Sequence, residues 1–225
     1  MDKLIFSQIA FKIIDNIEGG YYNPQWHYKD AMGKSGETMF GLDRKFGGTL
    51  NTGTDGKKFW QIIDGAKNQS TWFHGYFGGK YQNILKQTMA DIMFPHYTNL
   101  SKLLDKGLLQ IVNSDERLLF HFIYASWNGS GFFTYYANRL NALYRKGITN
   151  PTTLWEDCLK ARKNSAYKVI RQSAEKIEKM YKNYDFANAI ELPAFIVNQK
   201  KKNSLVLKIF VFGIIAYALR KYYKQ

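Results

Sequence analysis

A single cysteine, Cys158, stands in 225 residues, so the chain holds no intramolecular disulfide and no cysteine-rich zinc site. Cys158 reads as a small apolar residue of the interior. The four histidines, His27, His74, His96 and His121, show no paired metal spacing, and no metal or other cofactor is expected. No Gly-x-Ser-x-Gly elbow surrounds Ser126 or Ser130, and Gly78-Gly79-Lys80 lacks the rest of a phosphate-binding loop. Serine-hydrolase and nucleotide chemistry are set aside on those grounds. Solenoid repeats and low-complexity tracts are missing too. The opening Met1-Asp2-Lys3 and the following Leu4 to Ile17 lack a basic lead, an unbroken apolar run and a small-residue cleavage site, because Gln8, Lys12 and Asp15 interrupt them. That segment is read as structure.

Acidic residues are scarce: 18 Asp and Glu stand against 32 Lys and Arg, a formal charge of +14. The excess is uneven, since residues 1–149 carry 17 basic against 12 acidic side chains and residues 150–225 carry 15 against 6. Seven of the basic residues lie beyond Glu191. No nucleic-acid recognition motif accompanies them, so no nucleic-acid partner is expected, and anionic lipid headgroups account for the tail's charge better.

A hydrophobic content of 45% and this length suit one sizeable core with an appendage. The pattern assigns 1–190 to the main domain, 191–203 to a basic linker around Lys200-Lys201-Lys202, and 204–225 to an apolar tail. Leu205 to Leu219 is apolar except for Lys208. As a helix it spans about 22 Å, less than the roughly 30 Å hydrocarbon layer. Snorkelling of Lys208, Arg220 and Lys221, with Tyr222 and Tyr223 at the interface, extends that reach, so a membrane-spanning or membrane-inserted helix is expected.

Within the main domain Ile5, Ile9, Ile13 and Ile17 recur four apart beside Phe6, Ala10 and Ile14, the stripe of a helix packed on a core, with Asp2 as N-cap and Gly19-Gly20 closing it. Residues 21–58 are rich in turn formers and aromatics and read as loops, with a short hairpin around Glu37 to Leu42. Helical patterns follow at 59–67, 81–94, 98–106, 114–126, 132–145, from 152, and at about 164–184. The fold class expected is mainly α, with a small loop or β-hairpin lobe after the first helix and a C-terminal apolar helix.

Glu18 is the most informative residue. A carboxyl at the end of an apolar helix, beside a glycine-permitted turn, can be partly desolvated while facing a cleft, which raises its pKa and suits it to donate a proton. Glycoside cleavage needs such an acid and usually a second carboxylate, for which the neighbouring segment offers Asp30 and Glu37. Thr38 can hold a nucleophilic water by its hydroxyl. Tyr21, Tyr22 and Trp26, loop aromatics next to Glu18, suit sugar subsites, while most other aromatics are assigned to the core.

Glu18-Gly19-Gly20-Tyr21 followed by Ser35-Gly36-Glu37-Thr38-Met39-Phe40-Gly41-Leu42 resembles glycoside hydrolase family 108, the phage and secretion-associated muramidases, whose pattern is Glu-Gly-Gly-(aromatic) and then Gly-Gly-x-Thr-x-x-Gly-Ile. Phe122 to Gly131 is similar to that family's helix ending in Asn-x-Gly. The resemblance covers roughly residues 5–145. It implies an α+β lysozyme-like fold, peptidoglycan glycan strands as the partner, cleavage between N-acetylmuramic acid and N-acetylglucosamine, Glu18 as catalytic acid, and Asn128 as a residue that bonds sugar or braces the cleft. The family's Asp-Pro before the second motif is replaced by Met32-Gly33-Lys34, and Ser35 replaces the first glycine. Three outcomes therefore stay open. Asp30 or Glu37 serves as second carboxylate, Glu18 works alone as in lytic transglycosylases, or the chain is an inactive wall-binding, virion or membrane protein. A wall enzyme of this kind reaches its substrate through a phage-made membrane lesion, in a virion, or by its tail helix.

Overall fold

The computed structural model describes residues 1–18, 21–22, 37–45, 47–66 and 79–182, which fall in one compact unit, Met1–Lys182. The linker and apolar tail expected at 191–225 lie outside the described residues. So do Trp26, Asp30 and the glycines at 19 and 20. Among the described residues no helix is long and apolar enough to cross a membrane.

The unit is mainly helical. The first helix, α1 (Lys3–Asn16), begins as expected: Asp2 has extended backbone and its carboxylate accepts from Leu4 N–H at 2.7 Å, satisfying one of the donors a helix start leaves open. Phe6, Ile9, Ala10, Ile13 and Ile14 form its buried stripe. After it come three two-residue strands, β1 (Tyr21–Tyr22), β2 (Thr38–Met39) and β3 (Leu42–Asp43), paired antiparallel in that order. Tyr22 faces Thr38 across one ladder, and Met39 faces Leu42 across the other. Phe40 and Gly41 join β2 to β3 with φ of 51° and 77°, the hand that two-residue hairpins adopt.

A short helix, α2 (Thr49–Thr52), follows where loops were expected, and α3 (Thr54–Ala66) begins five residues before the helix expected at 59–67. The run Thr-Gly-Thr-Asp-Gly looks like a turn, yet Phe59, Trp60 and Ile63 on α3 are buried, and their burial draws the preceding residues into helix. Gly56 permits the close crossing, because a β-carbon there would overlap the carbonyl oxygen of Leu50. Asn51 ties this lobe together, donating to the carbonyls of Asp43 at 2.7 Å and Arg44 at 2.9 Å and accepting from Trp60 Nε1 at 2.8 Å.

The helix expected at 81–94 and the start of the one expected at 98–106 are joined in one helix, α4 (Gly79–Leu100), running through Pro95. Proline removes one ladder bond. The buried series Leu85, Met89, Met93 and Tyr97 nevertheless continues across it at four-residue spacing, so packing against α1 and α3 outweighs the local break. A single tight turn, Ser101–Leu103, leads into α5 (Lys106–Ser114), a helix that occupies the gap left between the expected helices at 98–106 and 114–126.

The hub is α6 (Glu116–Trp127), buried at every position from Arg117 to Ser126 and touching α1, α4, α5, α7 and α8. A helix buried all round needs a firm start, and Asp115 supplies it by accepting from the N–H groups of Arg117 and Leu118 while binding the Arg117 guanidinium at 2.7 Å. The cap is therefore Asp115, and the helix begins two residues after the start expected at 114. Around the hub lie α7 (Ser130–Arg145), α8 (Pro151–Lys163) and α9 (Lys168–Lys182). On α9, Ile170, Ser173, Ala174, Ile177 and Tyr181 share the buried face. Cys158 is buried on α8, as expected.

Candidate functional site

Helix α1 ends by closing two N–H groups on one carbonyl: Ile17 and Glu18 both donate to Ile13, at 2.9 and 3.0 Å. That tight closure leaves Glu18 half-buried where three parts of the molecule meet: the end of α1, the tip of the β2–β3 hairpin and the α6–α9 wall. The hairpin tip is held by Trp127, the last residue of α6, whose Nε1 donates to the carbonyl of Phe40 at 2.8 Å. Gly41 is then so close to Glu18 that a β-carbon on it would stand 2.5 Å from Oε2. Glycine is what allows the approach.

On its other side Glu18 opens on a cavity of about 460 Å³, walled by Tyr124 from α6 and by Val169, Gln172, Ser173, Glu175 and Lys176 from α9. Burial is the largest influence on the Glu18 carboxyl and pushes it above the ordinary glutamate value. The Tyr124 hydroxyl, which donates to it, and the positive charges of Lys176 and Arg162 pull the other way. Burial likewise raises Tyr124, followed by the charge of Glu18, so the phenol keeps its proton and remains a donor. The result is a carboxyl that is sheltered, hydrogen-bonded and open to a cleft.

Behind Tyr124 lies a chain of polar contacts within the core. Arg162 is 0% exposed, stacks over the rings of Tyr124 at 4.8 Å and Tyr136 at 5.4 Å, and donates to Asn128 Oδ1 at 3.2 Å and Ser173 Oγ at 3.1 Å. Its Nε and Nη2 find no hydrogen-bond partner among the described residues. Burial lowers its pKa, yet a guanidinium keeps its charge there, set between two aromatic faces. His121, fully buried nearby, is pushed well down by burial and then by Arg162, so its ring is neutral. Asn128 caps α6 and bonds both Arg162 and Tyr124, which makes it a brace of the site.

The other expected site residues are placed as follows. Thr38 sits on β2, two residues before the hairpin turn that touches Glu18. Glu37 precedes it and accepts from Arg44 Nη1 at 2.8 Å. Arg44 also grips Asp64 of α3 at 2.8 and 2.6 Å and lies 5.0 Å from the centre of the Trp60 ring. Glu37 therefore belongs to a clasp between the hairpin and α3. The backbones of Tyr21 and Tyr22 form β1, beside β2. Among the described residues no group of three or more His, Cys, Asp or Glu could hold a metal ion.

Sequence reasoning did not single out Tyr124, Arg162, Glu175 or Lys176. One signal for Arg162 was present: Leu154, Cys158 and Arg162 recur every fourth residue, which sets an arginine on the apolar face of α8. A second cavity, about 570 Å³, lies between α7 and α8 and is lined by Phe132, Tyr135, Tyr136, Tyr167, Arg139 and Lys160 among others, with no carboxylate in its wall. Of these two cavities, the smaller is the one with carboxylates, Glu18 and Glu175, in its wall.

Compared with known protein families, with characterised proteins and with solved structures, the chain matches none.

Proposed function

We propose that this protein is a peptidoglycan hydrolase, a muramidase of lysozyme-like fold that cleaves the β-1,4 bond between N-acetylmuramic acid and N-acetylglucosamine. The observation that carries the reading is Glu18: a carboxyl raised by burial, held by the Tyr124 hydroxyl, beside a glycine turn and open to a cleft. Such a group keeps its proton to higher pH than a free glutamate and can pass it to the bridging oxygen as the glycosidic bond breaks. The helix end and hairpin that shelter it contain Glu18 and Thr38-Met39-Phe40-Gly41-Leu42 of the motif that resembles family 108. Thr38, Tyr21, Tyr22 and Trp26 are proposed as its water-holding and sugar-binding neighbours, and the apolar segment of 204–225 as a tether to a membrane near the wall. Such a tether suits lysis or entry by a phage.

The test is release of soluble muropeptides from purified cell walls by the wild type and by Glu18→Gln. The reading expects release by the first and none by the second. Equal release by both, or by neither, overturns it. Product ends then separate hydrolysis, which leaves a reducing sugar, from transglycosylation, which leaves a 1,6-anhydro sugar.

A further inference from the structure

We propose that Glu175, on α9, is the second carboxylate of this site, acting as general base on the water that attacks the anomeric carbon. This assignment rests on the muramidase reading and deepens it. Glu175 lies outside the stretch of chain that carries the family resemblance, and no sequence motif points to it.

Three observations lead there. The first is placement, since Glu18 and Glu175 line the same cavity from facing elements, the end of α1 and the outer face of α9. Their chain neighbours are bonded to each other: Lys176 Nζ donates to the carbonyl of Ile17 at 3.1 Å, so the residue after one glutamate is tied to the residue before the other. With Ala174 and Ile177 buried behind it, α9 holds this position as part of the core. The second is size. A space of about 460 Å³ is roughly 10 Å across, enough for two carboxyls at the separation of about 6.5 to 9.5 Å that leaves room for a water between them.

The third is availability. Glu37 is engaged by Arg44 in the clasp to α3. Glu175, by contrast, is exposed and makes no hydrogen bond or ion pair with the described residues, so its oxygens remain open to accept a proton. The two glutamates thus differ as an acid and a base must, one sheltered and held, the other exposed and without a partner among the described residues.

The step balances as an inverting hydrolysis. Glu18 gives its proton to the bridging oxygen, which leaves with the electron pair of the breaking C–O bond. A water oxygen bonds to the anomeric carbon from the opposite face, and its proton passes to Glu175. Exchange with solvent then returns the proton to Glu18.

The experiment uses the full chain on purified cell walls with the wild type, Glu18→Gln, Glu175→Gln, Glu175→Ala and, as a control on the same helix, Glu178→Gln, whose native partner is Lys163. Loss of a general base is expected to cut muropeptide release about 100-fold or more in both Glu175 variants. Sodium azide is expected to restore release by Glu175→Ala, because azide needs no base, and to leave an α-glycosyl azide in the product. Glu178→Gln is expected to match the wild type. Wild-type rates in Glu175→Gln, with Glu18→Gln inactive, would overturn the assignment and leave the muramidase reading intact. Failure of azide to rescue Glu175→Ala would do the same, as would 1,6-anhydro product ends, which require no activated water. A wild type that releases nothing overturns both.

Discussion

Gly41 and Glu18 stand closer than any other residue type at position 41 would permit: an added β-carbon would lie 2.5 Å from Glu18 Oε2, 2.9 Å from Cδ and 3.2 Å from Trp127 Nε1. The turn that brings them together needs positive φ, 77° at Gly41, and the Trp127 bond to Phe40 fixes its distance from α6. The hairpin and the acid are therefore one construction.

Gly41→Ala is accordingly expected to lose activity along with stability. The backbone alone costs about 1–2 kcal/mol at positive φ, and the methyl group displaces the carboxyl as well. Thermal unfolding and wall digestion would show both losses. Gly65→Ala, in α3 with nothing within 4 Å of its β-carbon and no positive φ, is expected to be neutral or up to about 1 kcal/mol more stable.

Glu18→Gln is expected to stabilise the fold near neutral pH while abolishing catalysis. A carboxyl whose folded pKa lies above its unfolded value binds protons more tightly when folded, so the wild type loses stability as pH rises from the ordinary glutamate range through the raised value. Glutamine does not ionise. The stability difference between variant and wild type should therefore be present at pH 7 and vanish below about pH 4, where both unfolded and folded glutamates are protonated. Parallel thermal melts across that range check it.

Tyr124→Phe keeps the ring over Arg162 and removes the donor to Glu18. Because that bond favours the ionised carboxylate, its loss raises the Glu18 pKa further. The alkaline limb of the pH–activity profile, where the acid loses its proton, is expected to move to higher pH. A limb that stays in place or moves down contradicts the contact.

Asn128→Ala is expected to act mainly on stability. It removes one of the two acceptors of Arg162, Ser173 being the other, while Nε and Nη2 already lack partners among the described residues, and it removes one side-chain hydrogen bond of Tyr124. Leaving such buried groups unmet costs about 1–3 kcal/mol. Denaturant unfolding should show that loss, whereas a residue that only touched sugar would change binding and leave unfolding unaltered.

Much of the helical architecture was legible. The stripe of α1, its Asp2 cap, the hairpin near Glu37 to Leu42 and the later helices follow from apolar spacing and turn residues, which act over a few neighbours. Two of the errors share a cause. Pro95 and the Thr-Gly-Thr-Asp-Gly run carry strong local signals for a break, and burial of Met93, Tyr97, Phe59 and Trp60 against distant helices overrode them.

The sequence by itself determined that a glutamate follows the first amphipathic helix and that a glycine turn begins two residues after Thr38. Only the tertiary structure decided what that glutamate meets. Tyr124, Arg162 and Lys176 reach its surroundings from three helices more than 100 residues away, and Glu37, its neighbour in sequence, is taken up by Arg44 instead. The acidity of a carboxyl depends on the water it loses and the charges it gains, and both are set by parts of the chain that local pattern cannot bring into view.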